Sequence, residues 1–308
     1  MDFRLFVEPQ NGATFEDQLR AAQAAEAAGF DGFFRSDHFL GMPASRDGRP
    51  GPTDAWVTLG AIATHTSRLR LGTLVSSATF RHPSLTAIQV AQVDAMSGGR
   101  VDFGLGTGWY EAEHIAYGFP FPPKRFGPFR EQLEIITGLW TTPDGETFSY
   151  SGEHYTLVDA PALPKPAQAH VPIIVGGNGA TKTPAIAARF ADEFNAFRAS
   201  AEVIAERIAR VRAAAEDLGR DPGSIVFSLA GTTAIGASEA DIERRAAAAD
   251  STPARLRANG FAGTASEVVD LLGSLAELGI SRFYFQDFAL RDLEQIEFIG
   301  SEVLPRLR

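Results

Sequence analysis

Asp37 and His38 are adjacent residues whose side chains could carry out acid–base chemistry. They follow a short apolar segment, Gly32–Phe34, that is typical of a strand. An imidazole gives or takes a proton near neutral pH, so His38 is a candidate proton donor or acceptor. A histidine beside an aspartate also serves structural roles, and the pair alone does not decide between the two.

A second candidate segment, Gly98–His114, combines glycines, aromatic rings and titratable groups. Its first part, Val101–Leu105, is typical of a strand, and alternating glycines up to Gly108 let a ligand lie directly on the main chain. The spacing differs from the dinucleotide-binding fingerprint, because the third glycine comes one residue early. The segment fits the rim of a parallel β structure that holds a flat ligand, with an ordinary strand-to-loop connection as the alternative.

The segment Gly176-Gly177-Asn178-Gly179 is a glycine turn between a predicted strand and a predicted helix. Free N–H groups at the start of a helix, together with the helix dipole, suit a phosphate. A tight strand-to-helix turn without a ligand is the alternative reading of the same residues.

Composition excludes several classes of protein. The 308 residues carry a net charge of −10 without a run of basic residues, so we expect no nucleic-acid partner. The absence of cysteine excludes disulfides, thiolate catalysis and cysteine-ligated metals. The histidines show no H-x-H or H-E-x-x-H spacing, so no metal site is expected. The sequence also lacks the G-x-S-x-G motif of the α/β-hydrolases.

The N-terminal sequence lacks the long apolar region of a signal peptide, and no apolar run is long enough to span a membrane. We therefore expect a cytoplasmic protein that has no membrane partner and acts on a small molecule.

Strands and helices alternate along the chain. The predicted strands are Phe3–Val7, Gly32–Phe34, Leu69–Val75, Val101–Leu105, Ile173–Val175, Glu193–Ala196, Ile225–Ser228 and Arg282–Phe285. The helices with the clearest boundaries are Phe15–Ala28 after Thr14, Thr53–Thr66, Pro83–Met96, Phe129–Trp140, Ser238–Ala249 and the helix that follows the capping box Thr264–Glu267.

This alternation implies a parallel sheet. Eight units in 308 residues favour a closed (β/α)8 TIM barrel, with a small hairpin over Thr147–Val158 outside it. We expect one domain over residues 1–308. The candidate segments follow strands, and a barrel brings the ends of its parallel strands together at one mouth.

Six motifs carry a resemblance to a known family. In order they are S-D-H (36–38), R-L-R-L-G-T-L-V (68–75), R-H-P (81–83), S-G-G-R-V-D-F-G-L-G-T-G-W (97–109), G-G-N-G (176–179) and A-D-E-F-N (191–195). Together they resemble the bacterial luciferase-like oxidoreductases, most closely the branch that uses the deazaflavin coenzyme F420. The resemblance extends from Phe3 to about Phe285.

The resemblance implies a TIM barrel with the coenzyme ring at the C-terminal mouth. The residue that matches His38 sits close to the reactive face of the ring, and a bulge behind the ring often contains a non-proline cis peptide. The glycines that match Gly176 and Gly177 hold the coenzyme phosphate. The expected coenzyme-binding residues are Asp37, His38, Thr73, Leu74, Val75, Thr107, Gly108, Gly176, Gly177, Asn178 and Gly179.

The chain departs from the family pattern at one position. In the F420-dependent sugar dehydrogenases of this family, a glutamate follows the pair that matches Thr107-Gly108, but here the residue is Trp109. The carboxylate proposed as a proton donor is missing there, which argues against oxidation of a sugar phosphate. Glu111 and Glu113 are the nearby acids that could replace it.

The leading hypothesis is an F420-dependent oxidoreductase that transfers a hydride between the coenzyme and a small organic substrate. His38 would exchange the accompanying proton, and Phe6, Trp109 and Tyr110 would line the substrate side. The alternatives are an FMN-dependent monooxygenase of the same fold, a flavin- or F420-binding protein without turnover and, ranked last, a metal-dependent barrel hydrolase. We expect a homodimer.

Overall fold

The computed structural model describes residues 1–42 and 47–308. The loop predicted over Phe39–Pro52 therefore lies partly outside the described residues.

Most of the strands in the described residues belong to one sheet. They are β1 (Asp2–Val7), β2 (Gly32–Arg35), β3 (Arg70–Thr73), β4 (Ser76–Ser77), β5 (Val101–Gly106), β6 (Phe148–Ser151), β7 (Thr156–Ala160), β8 (Ile173–Gly176), β9 (Glu193–Phe197), β10 (Val226–Ile235), β11 (Phe261–Gly263) and β12 (Arg282–Asp287).

Eight parallel strands close into a barrel in the order β1, β2, β3, β5, β8, β9, β10 and β12, with β12 pairing again with β1. The short strands β4 and β11 extend this sheet beside β5 and β10. The antiparallel hairpin β6–β7 stands apart from it. The predicted TIM barrel and its extra hairpin are confirmed.

Helices surround the barrel. They are α1 (Phe15–Ala27), α2 (Ala55–Ala63), α3 (Pro83–Ser97), α4 (Glu111–Tyr117), α5 (Phe126–Thr141), α6 (Lys182–Phe190), α7 (Ala201–Asp217), α8 (Glu239–Ala248), α9 (Pro253–Asn259), α10 (Ala265–Glu277) and α11 (Leu293–Glu302). Both predicted capping boxes form, at Thr14 and at Thr264. Helix α2 begins two residues later than predicted, because Asp54 accepts a hydrogen bond from the N–H of Val57 and so caps it. Among the described residues no helix is long and apolar enough to cross a membrane.

The core has two layers because side chains alternate along each strand. Leu5 and Val7 of β1 belong to the large apolar cluster that includes residues of the surrounding helices. Phe6 belongs to a smaller cluster with Phe34 and Tyr284, contributed by β1 and the strands on either side of it. This inner cluster supports the mouth of the barrel from below.

Among the strands and α-helices of the described residues, the sequence did not predict β4, α4, α9 and β11. The strand expected to end at Ser228 also continues to Ile235 as part of β10. Its extension reads L-A-G-T-T-A-I, and the small and polar residues A-G-T-T at its centre interrupt the apolar pattern. Pairing with β11 and β12 stabilises the strand there.

Candidate active site

A cavity of about 570 Å³ opens at the C-terminal end of the barrel. The structure brings most of the predicted site residues to its wall, namely Phe6, His38, Leu74, Val75, Thr107, Gly108, Trp109, Gly176, Gly177, Asn178 and Gly179. These residues come from the ends of five different strands and the segments that follow them, as expected for the mouth of a barrel.

His38 is held in the cavity by a carboxylate from α4, the helix that follows β5. Its Nδ1 atom lies 2.8 Å from Oε1 of Glu113, and the other oxygen of Glu113 accepts the backbone N–H of Phe39 at 2.9 Å. Glu113 is almost fully buried, at 1% exposure. Since a carboxylate accepts hydrogen bonds, Nδ1 is the donor and Nε2 is the ring nitrogen left for a ligand.

The charge of His38 reflects a balance between burial and acidic neighbours. Burial opposes the positive charge of the imidazole, but the hydrogen bond and the charge of Glu113, with smaller contributions from Glu8 and Asp37, outweigh it and raise the pKa of His38. The raised pKa favours the protonated imidazole, which can deliver a proton at Nε2 and, once neutral, take one up there.

Aromatic rings fix the position of the imidazole on its other sides. The His38 ring meets Trp109 and Tyr110 edge to face, with centroid distances of 5.7 and 6.0 Å. The hydroxyl of Tyr110 donates to the carbonyl oxygen of Gly41 at 3.1 Å. Tyr110 thus buttresses His38 from behind, whereas Trp109 lines the cavity and is 64% exposed.

Two other predicted residues, Asp37 and Thr73, also lie behind the wall of the cavity. Asp37 is buried and forms a two-pronged ion pair with Arg81, whose guanidinium also binds Asp54. Thr73 is buried and donates its hydroxyl to the carbonyl oxygen of Gly104 at 2.9 Å. Among the described residues, Asp37, Thr73 and Tyr110 support the lining and do not belong to it.

The glycines of β5 are required by a close approach of two strands. The peptide bond between Leu74 and Val75 is cis. A Cβ atom on Gly104 would lie 2.0 Å from the carbonyl oxygen of Thr73, and one on Gly106 would lie 2.8 Å from Cγ2 of Val75. The G-x-G spacing therefore lets β5 pack against the segment that contains Leu74 and Val75.

The glycine turn after β8 leads into α6 at the edge of the cavity. Gly177 has a φ of 149°, and its N–H donates to the carbonyl oxygen of Asn195 at 3.3 Å. A Cβ atom on Gly179 would lie 2.5 Å from the hydroxyl of Thr183, so only glycine lets the turn close onto the first turn of α6. Within residues 1–42 and 47–308, no side chain caps α6, which leaves its first N–H groups available.

A model of the luciferase-like monooxygenase family matches residues 1–292 of the chain. The chain belongs to this family. The match confirms the family predicted from the six motifs.

Relatives within the luciferase-like family include F420-dependent glucose-6-phosphate dehydrogenases. The chain is 31% identical to the one from Segniliparus rotundus over 316 residues, which cover 92% of each chain. It is 38% identical to the one from Microbacterium testaceum over 174 residues, which cover 55% of this chain and 49% of the relative. The chain thus spans about half to two thirds of the length of the first curated relatives it matches.

Solved structures share the fold. An F420-dependent secondary alcohol dehydrogenase in complex with an F420–acetone adduct has a TM-score of 0.85 at 21% identity, covering 100% of this chain and 99% of that chain. The monooxygenase RslO1 from Streptomyces bottropensis has a TM-score of 0.81 at 21% identity, covering 100% of both chains. At these identities the likeness shows the fold alone.

Of the two acids expected near the cavity, Glu111 and Glu113, only Glu113 lines it among the described residues. Glu113 is the third residue of α4 and lines the cavity, whereas Glu111 at the start of α4 is exposed. The side chain that pairs with His38 is therefore Glu113, four positions beyond Trp109.

Sequence reasoning missed several polar residues of the cavity, among them Glu8 and Gln286. Each of these two stands one position after the end of a predicted strand, Phe3–Val7 or Arg282–Phe285. The rule that strand ends meet at the mouth would have found both. Among the described residues, no group of three or more His, Asp or Glu side chains is arranged to hold a metal ion.

Proposed function

We propose that the protein is an F420-dependent oxidoreductase that transfers a hydride between the coenzyme and a small organic substrate. The observation that carries the proposal is the His38–Glu113 pair in a cavity bounded by the Leu74–Val75 segment and by the glycine turn of β8. The 31% identical F420-dependent glucose-6-phosphate dehydrogenase from Segniliparus rotundus and the six motifs also support the proposal.

The residues present fit a flat coenzyme that carries a phosphate. The glycines of β5 open the main chain beside Leu74 and Val75, and a Cβ on Gly176 would meet only Val75 and Asn195, at 3.6 and 3.8 Å. The uncapped start of α6 offers backbone N–H groups for the phosphate. Leu74, Val75, Thr107 and Gly108 would hold the ring, and Gly176 to Gly179 the phosphate. Coenzyme F420, when bound, supplies a carbon centre that accepts or donates a hydride.

The protein's own task is to position the substrate and to move one proton. When the substrate is oxidised, a C–H bond and an O–H or N–H bond break, and the hydride leaves to the coenzyme. The proton passes to Nε2 of His38, and Glu113 stabilises the imidazolium through Nδ1. Phe6 and Trp109 supply apolar wall that limits the access of water. The reverse direction uses the same groups.

Titration of the purified protein with F420 and, separately, with FMN tests this proposal. We expect saturable quenching or shifting of F420 fluorescence and much weaker binding of FMN. Tight binding of FMN with no response to F420 would instead support the FMN-dependent monooxygenase alternative. The monooxygenase RslO1 shares the fold of this chain. Binding of F420 without turnover of any small alcohol, imine or carbonyl compound would support a non-catalytic binding protein.

We also propose that residues 1–308 form one luciferase-like domain and that two copies form a homodimer. Exposed apolar side chains lie on two neighbouring helices, Val57 on α2 and Leu85, Ile88 and Met96 on α3. Burying such a face between two copies removes apolar surface from water. Sedimentation equilibrium is expected to show a dimer that Ile88→Lys converts to a monomer, and a wild-type monomer would contradict it.

A further inference from the structure

Glu8 is a buried carboxylate in the cavity that the proposed proton transfer does not use. It follows β1 directly, is 7% exposed and lines the cavity. Its two oxygens accept amide hydrogen bonds, Oε1 from Gln286 at 2.6 Å and Oε2 from Gln10 at 2.7 Å. Neither partner is a cation, and among the described residues Glu8 forms no direct ion pair. The positive charges that act on it, those of Arg35 and His38, do so at longer range.

The two amides are themselves oriented by hydroxyl groups. Ser36 donates to Oε1 of Gln10 at 2.7 Å, and Thr232 donates to Oε1 of Gln286 at 2.8 Å. Because each amide oxygen is occupied, each NH2 group must face Glu8. A carboxylate has about four lone-pair sites, and the amides use two of them. Glu8 is thus held as a hydrogen-bond acceptor, and its remaining lone pairs can accept a hydrogen bond from a donor in the cavity.

Glu8 stands across the mouth from the glycine turn that is proposed to hold the coenzyme phosphate. In the order around the barrel, β1 lies four strands from β8, which carries the glycine turn, and β12 with Gln286 lies four strands from β5. The charge of Glu8 contributes to the raised pKa of His38, which follows the neighbouring strand β2. Glu8 and His38 therefore share the side of the cavity that faces away from that turn.

Charge in the cavity further restricts the substrate. Glu8 and Glu113 line it, and none of the described lining residues is lysine or arginine. Within the described lining, His38 is the one side chain that can become positively charged, and its Nδ1 is already paired with Glu113. A phosphorylated or carboxylated substrate would therefore meet two carboxylates with at most one cation, which is costly in a partly buried site.

We propose that Glu8 anchors the substrate through an O–H or N–H donor and that the site selects uncharged or cationic small molecules over anionic ones. This inference rests on the proposed function, since it assigns the side of the cavity opposite the coenzyme to the substrate.

Three probes of one shape test it: cyclohexanol, cyclohexylammonium and cyclohexyl phosphate. Their dissociation constants are measured by saturation-transfer NMR on the wild type, with and without F420. We expect binding of the alcohol and the ammonium but not of the phosphate. Glu8→Gln should weaken the ammonium by about tenfold or more, because a charge-assisted hydrogen bond becomes neutral. Glu8→Asp keeps the charge and should still exclude the phosphate. This variant keeps the charge requirement testable if Glu8→Gln does not fold.

Glu111→Gln is the matched control, because it removes the same charge from an exposed position near the mouth, and it should leave all three constants unchanged. Binding of the phosphate as tight as that of the alcohol, ammonium binding that is indifferent to Glu8→Gln, or binding of none of the probes would each overturn the inference. A parallel F420 titration keeps the two proposals apart, since Glu8→Gln should not change it. If the wild-type protein does not bind F420 but binds the probes in a Glu8-dependent way, the proposed function is wrong, whereas the role of Glu8 in binding small molecules is supported.

Discussion

Nδ1 of His38 lies 2.8 Å from Oε1 of Glu113, a residue 75 positions further along the chain. The contact joins the loop after β2 to helix α4, and it fixes both the orientation of the imidazole and the nitrogen that faces the cavity. Glu113 acts through His38 and is a positioning residue in the proposed mechanism.

Replacing Glu113 by glutamine should lower the pKa of His38. The carboxylate is the main group that raises this pKa against burial, so its loss leaves desolvation to favour the neutral imidazole. The pH dependence of the His38 ring signals in NMR should move to lower pH, whereas Glu111→Gln should leave it in place. An unchanged His38 titration in a folded Glu113→Gln variant would show that the pair does not set the pKa.

Gly176→Val should abolish coenzyme binding without unfolding the barrel. The nearest atoms to a Cβ there are at ordinary contact distances, so the added side chain fits the fold but enters the cavity. Gly177 is a poorer test because its φ of 149° makes any substitution strained. Circular dichroism should be unchanged and F420 titration should show no binding. Gly273→Val, with open space around its Cβ, is the control, and normal F420 binding by Gly176→Val would remove the turn from the site.

Asp287→Asn should stabilise the protein at alkaline pH. Burial, with a contribution from the charge of Asp292, raises the pKa of Asp287 to about 6, and its Oδ2 has no hydrogen-bond partner among the described residues. The folded state thus holds a proton that the unfolded state has lost, and stability falls as pH rises from about 4 to 6. Asparagine can still accept the N–H of Ala289.

The expected gain in Tm of Asp287→Asn is therefore full near pH 8 and absent near pH ~4. Thermal unfolding at the two pH values measures it, with the exposed Asp270→Asn as control. A gain of equal size at both pH values would point to packing and not to the proton.

Asp102→Asn should destabilise the fold, because Asp102 lies in a buried ion-pair cluster at the N-terminal end of the barrel strands. Asp102 is buried and pairs with the fully buried Arg4, which also contacts Tyr284. Asp102→Asn leaves Arg4 with the partly exposed Asp2 as its remaining acidic partner and also removes the ion pair of Arg70, at a cost of about 3 kcal/mol, the lower end for breaking a buried pair. Urea unfolding should show this loss, whereas Glu206→Gln, which breaks an exposed pair with Arg210, should cost about 0.5 kcal/mol or less. An equal loss of stability in the two variants would contradict the claim that the buried ion pair contributes more than the exposed one.

Local patterns were sufficient to predict most of the barrel. Thr14 and Thr264 begin their helices through contacts within three residues, and the strand before Asp37 is a short apolar run, so neighbouring residues decide these elements. The extension of β10 to Ile235 depends on pairing with β11 and β12, which the residues of that segment do not encode locally.

The candidate site shows the same division. The positions of His38 and Gly176 follow from strand ends, whereas the choice of Glu113 over Glu111 as the partner of His38 depends on how α4 packs across the mouth. His38 and Glu113 are 75 positions apart, so a short motif with fixed spacing could not have identified the pair. Tyr110 was expected at the substrate side, but its hydroxyl reaches Gly41 and its ring supports His38 from behind.

The most direct test of the proposed mechanism is the single-turnover rate of coenzyme reduction or oxidation at saturating F420, compared between wild type and His38→Ala across pH. The substrate is the most reactive compound from a panel of uncharged and cationic alcohols and amines. Positioned proton transfer contributes about 10²–10⁴-fold in rate, so His38→Ala should lose a rate on this scale and the pH dependence that His38 confers. Its F420 affinity should stay within about tenfold of wild type, because the imidazole is not assigned to the phosphate or the ring plane. A well-folded His38→Ala variant with an unchanged rate and pH profile would contradict the proposed role of His38.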